Sequence, residues 1–153
     1  MTLTEYIDNL KNKRIAVVGV GVSNLPLLRL LAERGVDVTA HDKSSAEALG
    51  DIYAELSALG VKFVLGEDYL SKLDYDVVFR TPGLHPDKLK PAVRPDTVVT
   101  SEMEAFFAVC PCRTIAITGS DGKTTTSTLI AKLPKHGVSH SSGLPIFPPR
   151  WTV

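Results

Sequence analysis

Cysteine is scarce in this 153-residue chain, which has two, Cys110 and Cys112. Separated by a single proline, they are too close for an easy disulfide and lack the second pair of ligands that a zinc site needs. The spacing predicts two thiols in a reducing compartment. Net charge is missing as well: seventeen Lys and Arg balance seventeen Asp and Glu, which argues against a nucleic-acid partner or docking on an anionic membrane. No apolar run approaches the ~18 residues of a membrane span, and residues 1–13 carry Glu5 and Asp8 without an apolar stretch of signal-peptide length. The expectation is a cytoplasmic, monomeric protein with no membrane insertion. His41, His85, His136 and His140 show no metal-ligand spacing, since His136 and His140 straddle Gly137 in a poorly helical context.

What is present is the composition of a globular protein, 44% hydrophobic and 22% charged, at a length of one domain with the edge of a second. Strand-like and helix-like segments alternate, so the expected fold class is α/β, a Rossmann-like, doubly wound and mainly parallel sheet. Arg14–Val18 is short, β-branched and apolar, as a strand buried on both faces should be. A helix is predicted from about Asn24 to Arg34, with Leu25, Leu27, Leu28, Leu30 and Leu31 on its apolar side and Gly35 at its C-cap. Val36–His41 is the second predicted strand. An amphipathic stretch from Ala46 to Leu59, closed by Gly60, precedes a third at Val61–Leu65. Asp76–Phe79 and Asp96–Thr100 are the fourth and fifth, with turn-rich Thr81–Pro86 between them and Ser101 as the N-cap of a following helix.

These elements complete a first domain, 1–109. Residues 110–113, with proline interrupting helix and ladder alike, form a linker. A further buried strand, Arg113–Thr118, then runs through a glycine-rich turn into a helix, Thr124–Leu133, as the start of a second domain over 114–133. One strand and one helix cannot bury their apolar faces alone. Residues 134–153 hold four prolines and no apolar periodicity, so an irregular or disordered tail is expected there.

Two glycine turns carry chemistry. Gly19-Val-Gly21 stands between the first strand and the first helix, where a dinucleotide or nucleoside diphosphate meets a helix N-terminus. Asn24 stands where the third glycine of Gly-x-Gly-x-x-Gly would be. Asp42, twenty-one positions after Gly21 at the end of the second strand, is placed to accept hydrogen bonds from a ribose or a base. The pattern alone leaves the nucleotide open. Thr118-Gly-Ser-Asp-Gly-Lys-Thr-Thr125 is more specific: a strand, a loop closing on Gly122-Lys123-Thr124 and a helix offer backbone N–H groups, a lysine charge and a hydroxyl suited to Mg²⁺, which is what a triphosphate needs. Its spacing departs from Gly-x-x-x-x-Gly-Lys-[Ser/Thr], with Ile117 at the place of the first glycine.

A diphosphate-binding half followed by Thr-Gly-Ser-Asp-Gly-Lys-Thr-Thr resembles the Mur ligase family of peptidoglycan synthesis, in which such a shortened phosphate loop is a hallmark. Gly19-Val-Gly-Val-Ser-Asn24, Arg80-Thr-Pro-Gly83 and Ser101-Glu-Met-Glu-Ala-Phe-Phe107 carry the resemblance further, over roughly residues 1–132. It implies an ATP- and Mg²⁺-dependent amide ligase with UDP-N-acetylmuramoyl-L-alanine and D-glutamate as substrates. It further implies that Gly21, Val22, Ser23 and Asn24 approach the diphosphate, that Asp42 and Lys43 sit near the uracil, and that Thr81, Pro82 and Gly83 line the same cleft. The ATP-binding loop would be Gly119, Ser120, Asp121, Gly122, Lys123, Thr124 and Thr125, with Lys123 catalytic and Thr124 on the metal. Members of the family carry a longer central domain and a C-terminal domain, so this chain is expected to bind the UDP part and to be inactive alone. A non-catalytic UDP-sugar-binding module and an NAD-dependent oxidoreductase domain are the alternatives, of which the second leaves Gly119–Thr125 without a purpose.

Overall fold

The computed structural model describes residues 1–112 and 114–132, the side chains of the last two excepted. The expectations for Arg113, Leu133, His136, His140 and the 134–153 tail lie outside the described residues. One compact unit comprises residues 1–110, and a second begins at Pro111.

The first unit opens with α1 (Leu3–Leu10), which the strand-and-helix reading did not include. Its N-terminus is closed reciprocally: the Glu5 N–H donates to the Thr2 hydroxyl at 3.2 Å and the Thr2 N–H donates to the Glu5 carboxylate at 2.8 Å. Ile7 and Leu10 are buried beneath it. β1 (Ile15–Val18) is buried along its whole length. α2 (Leu25–Glu33) buries Leu27, Leu28, Leu30 and Leu31. It ends as Val36 N–H donates to the Leu31 carbonyl and Gly35 N–H to that of Ala32, both at 3.0 Å. That closure consumes Val36, so β2 runs Val38–Asp42 rather than from Val36. The single amphipathic helix expected over 46–59 is two, α3 (Ala46–Leu49) and α4 (Asp51–Ala58), because the chain leaves helical geometry at Gly50. β3 (Lys62–Leu65), a 3₁₀ turn (Glu67–Leu70), β4 (Val77–Arg80), α5 (Pro86–Leu89), β5 (Val98–Ser101) and α6 (Glu102–Val109) complete the unit. The fifth strand starts two residues later than Asp96.

The sheet order is β3-β2-β1-β4-β5, every pairing parallel. Successive strand residues face opposite ways, and the core divides accordingly. Ile15, Val17, Val77 and Phe79 pack with α1, α2 and Leu56 of α4 on one face; Ala16, Val18 and Val78 pack with Leu73 and Leu89 of α5 on the other. The sheet is therefore wound on both sides.

His41 ties the second face together. It is buried at the end of β2, with Nδ1 2.7 Å from the Tyr69 carbonyl and Nε2 2.9 Å from the Tyr75 hydroxyl. The carbonyl can only accept, so Nδ1 carries the proton and Nε2 accepts from Tyr75. Burial lowers the imidazole pKa, outweighing the opposite pull of the Tyr69 carbonyl. The unfolded chain then binds a proton that the folded chain refuses, so this contribution to stability is complete above the unfolded value and is lost as pH falls through it. Unfolding free energy is expected to decline from pH 7 to pH 5. His41→Gln should cost roughly 1–3 kcal/mol and flatten that decline; urea melts with the slope unchanged in the variant would contradict it.

The second unit holds α7 (Lys123–Lys132), starting one residue earlier than expected. Residues 114–119 form no strand, contrary to the sequence reading. Their β-branched pattern supplies propensity, but a ladder requires a partner strand, and none pairs with them among the described residues. Ile115, Leu129 and Ile130 are exposed among the described residues.

Candidate nucleotide site at the strand ends

In a sheet wound on both sides, a reversal of the winding marks where a crevice can open. From β1 the chain crosses to β2 through α2 on one face, whereas from β4 it crosses to β5 through α5 on the other. β1 and β4 are neighbours, so the turns at their carboxyl ends part in opposite directions. In open α/β sheets, ligands bind at such a switch point.

Backbone hydrogen bonds draw three strand ends together there. Gly19 N–H donates to the His41 carbonyl of β2 at 2.7 Å, and Thr81 N–H, just past β4, donates to the Val18 carbonyl of β1 at 3.0 Å. Gly19 has φ +92°, and a Cβ built on it would lie 3.1 Å from Thr81 Cβ. Glycine is thus required twice over, by its backbone angle and by the close approach of the second turn.

Asp42 latches the turn. Its Oδ2 accepts from Val20 N–H at 2.6 Å and its Oδ1 from Ser44 N–H at 2.8 Å. Burial alone raises the pKa of this carboxyl, but the donors from Ser44 and Val20, with the Lys43 ammonium nearby, more than reverse that and hold it low. It is anionic at neutral pH, and both oxygens are occupied by the protein's own backbone. Sequence reasoning placed an acidic group here for a ligand; it did not foresee the latch.

Asn24 has a structural task too. Only 1% exposed, it donates from Nδ2 to the carbonyls of Val18 and Gly19, each at 3.0 Å. Where a third glycine would let helix and strand pack closely, this amide clasps the strand end instead. Its side chain therefore faces inward, not toward a diphosphate. Gly21 and Val22 are exposed, Val22 by 76%, and Ser23 is half-buried. Lys43 is exposed one residue past β2; Thr81 is half-buried, and Pro82 and Gly83 are exposed in the turn after β4. The fold thus brings all the sequence-predicted substrate residues to one end of the sheet.

Two groups nearby were not assigned from the sequence. Arg80, the last residue of β4, donates from Nη1 to the Leu84 carbonyl at 3.3 Å. Glu102, at the start of α6, is buried, with an Oε1 that has no partner among the described residues, and burial pushes its carboxyl pKa up. Each lies in a segment that carries the family resemblance, Arg80–Gly83 and Ser101–Phe107, but the burial of Glu102 depends on tertiary packing that the segment does not state.

In the second unit, Gly119–Thr125 is exposed throughout. Gly122 has φ +74° immediately before α7, so glycine is needed for the chain to enter the helix at that angle. Lys123 Nζ donates to the Gly119 carbonyl and, at 2.9 Å, to that of Ser120. The N–H groups at the start of a helix lack intrahelical acceptors, and Thr124 adds a hydroxyl in the first turn. This donor set suits a phosphate chain.

No family model matches the chain. It is similar to curated proteins named UDP-N-acetylmuramoylalanine–D-glutamate ligase: 54% identical over 133 residues to that of Ruminiclostridium cellulolyticum, covering 85% of this chain and 29% of the relative. To the Clostridium novyi protein it is 48% identical over 132 residues, covering 84% and 29%, and to a Clostridium botulinum protein 47% identical over 152 residues, covering 94% and 33%. The last match covers more of the chain than residues 1–132 could supply, so the likeness extends beyond that stretch. The chain spans about a third of the length of these relatives. Among solved structures, (S)-3-hydroxybutyryl-CoA dehydrogenase PaaH1 from Ralstonia eutropha gives a TM-score of 0.42 at 16% identity, covering 57% of this chain and 40% of that one.

Proposed function

The chain belongs to the UDP-N-acetylmuramoylalanine–D-glutamate ligase family, and from that premise we propose that residues 1–110 hold the uridine diphosphate end of UDP-N-acetylmuramoyl-L-alanine in the crevice between β1 and β4. The observation that carries this reading is the Gly19–Asn24 turn, fixed by the Asp42 latch and closed against Thr81 at the switch point of the sheet. Gly21, Val22 and Ser23 face the diphosphate, Lys43 and the outer edge of Asp42 the uracil, and Thr81, Pro82 and Gly83 the opposite wall. Asn24 contributes by holding the turn rather than by touching the ligand.

The second unit supplies the ATP-binding loop. Lys123 would stabilise the β- and γ-phosphates and Thr124 would hold Mg²⁺, which neutralises charge on the moving phosphoryl group. In the whole reaction the substrate carboxylate takes the γ-phosphoryl group from ATP, leaving ADP. The amine of D-glutamate then attacks the acyl phosphate, an amide bond forms, and phosphate departs. Placing the carboxylate and delivering the amine call for groups beyond those described here, so ligation is assigned to the full length of the relatives and ligand binding to this chain.

The test is parallel calorimetric titration of the 153-residue chain with UDP-N-acetylmuramoyl-L-alanine, UDP and NAD. Binding of the two uridine ligands without NAD is expected. NAD binding with no response to either uridine ligand would favour the dinucleotide alternative and defeat the assignment.

A further inference from the structure

We propose that Arg80 is a cationic contact for the diphosphate in this crevice, an inference that rests on the nucleotide reading above and adds the residue that neutralises its charge. The cross-strand register places His41, Val18, Arg80 and Ser101 side by side on β2, β1, β4 and β5. Because residues alternate along β4, Arg80 shares the face of Val78 and the α5 crossover, opposite the face that α2 covers. A diphosphate lying between the two turns meets backbone N–H groups from the glycine turn and needs a cation on the other side.

Among the described residues, six of the eleven other Lys and Arg of residues 1–110 are ion-paired, Lys11 with Asp8 and Lys90 with Asp87 among them. Arg14 and Arg94 pair with Asp74 and Asp76 at the amino ends of the strands, Lys62 pairs with Asp37, and Arg29 with Glu55. Among the described residues, the cations on or within one residue of the carboxyl ends of β1, β2 and β4 are Lys43 and Arg80. Arg80 makes no ion pair within 4 Å among the described residues, and of its five N–H donors only one has a hydrogen bond there, the long one to Leu84. Arg80 exerts an electrostatic pull on Glu104, a small part of what lowers that carboxyl's pKa. Its Oε2 is already taken by the hydroxyls of Thr100 at 3.1 Å and Ser101 at 2.9 Å. Half-buried, pinned by Leu84 at the root of the Thr81–Gly83 turn and still rich in donors, the guanidinium has the planar fork that suits two phosphate oxygens at once.

The full 153-residue chain is titrated with UDP, uridine and inorganic pyrophosphate as wild type, Arg80→Gln and Arg80→Lys. Glutamine keeps a donor for the Leu84 carbonyl, so the unfolding midpoint should hold. Arg80→Gln is expected to weaken UDP and pyrophosphate at least tenfold while leaving uridine within about twofold, with Arg80→Lys intermediate because it keeps charge but not the fork. Unchanged UDP and pyrophosphate affinity in Arg80→Gln overturns the inference and leaves the nucleotide reading standing. Equal loss of uridine overturns it as well, since Arg80 would then act only as a brace for its turn. Pyrophosphate binding that depends on Arg80 without any uridine binding would keep the anion contact and defeat the uridine reading; a wild type that binds none of the three defeats both.

Discussion

Gly19→Ala is expected to lower the unfolding free energy by about 2–5 kcal/mol and to abolish measurable UDP binding. Two costs combine. A Cβ at φ +92° strains the backbone by roughly 1–2 kcal/mol, and the same Cβ falls 3.1 Å from Thr81 Cβ and 3.2 Å from Cγ2. An overpacked contact of this kind typically costs about 1–3 kcal/mol. Relief by side-chain rotation is closed, because Thr81 Cβ is fixed by its own backbone, whose N–H is bonded to the Val18 carbonyl. The two strand-end turns must move apart, which widens the crevice that the ligand is proposed to fill. The costs can be separated: Thr81→Gly in the Gly19→Ala background removes the clash and leaves the angular strain, so it should restore only part of the stability. Urea denaturation with comparable slopes measures both effects. A Gly19→Ala protein within about 0.5 kcal/mol of wild type would show that the turns are not held as tightly as their hydrogen bonds imply.

The glycine turn shows how far the sequence alone could go. Gly19-Val-Gly21 after an apolar β-branched run specifies a strand, a tight turn and a helix, since only glycine tolerates the angle, the short β-branched run suits a buried strand and the leucine spacing after the turn suits a helix. Asn24, by contrast, looked like a damaged fingerprint, and only the positions of the Val18 and Gly19 carbonyls show it to be a substitute clasp. Boundaries failed where local closure competed with propensity. Val36 has the composition of a strand but is spent on ending α2, and Gly50 divides a stretch whose apolar pattern is continuous. α1 was legible from Thr2-x-x-Glu5, yet the strand-and-helix reading began at Arg14. Residues 114–118 failed for the opposite reason: their composition suits a strand, but pairing is a property of two segments. Arg80 needed the register, because nothing in Arg-Thr-Pro-Gly states that the arginine shares a row with Val18 and His41.

Asp42→Ala is expected to weaken UDP binding about 5- to 150-fold, equivalent to roughly 1–3 kcal/mol for the loss of a part-buried, charge-assisted acceptor. The larger share should come through the glycine turn rather than from the ligand. Val20 N–H, 2.6 Å from Oδ2, would lose its acceptor, as would Ser44 N–H at 2.8 Å from Oδ1. Both lie on segments that flank the proposed uridine diphosphate. Asp42→Asn discriminates between the routes. Its single remaining carbonyl oxygen can serve one of the two N–H donors while the amide NH₂ opposes the other, so half of the latch is broken although size and polarity are kept. If Asp42 acts as a latch, asparagine should lose most of the affinity and should weaken UDP and inorganic pyrophosphate alike, because the phosphate side of the site is what becomes disordered. If it acts only on the base, pyrophosphate affinity should be indifferent to both substitutions. The pH dependence has a matching sign. The folded carboxyl is held below its ordinary value, so the latch is complete above the unfolded pKa and fails only as pH falls through the lowered folded one. The contribution of Asp42 to UDP affinity should therefore be flat from pH 8 down to the ordinary carboxylate range. An affinity that Asp42→Ala leaves unchanged at neutral pH would remove the latch from the account of the site.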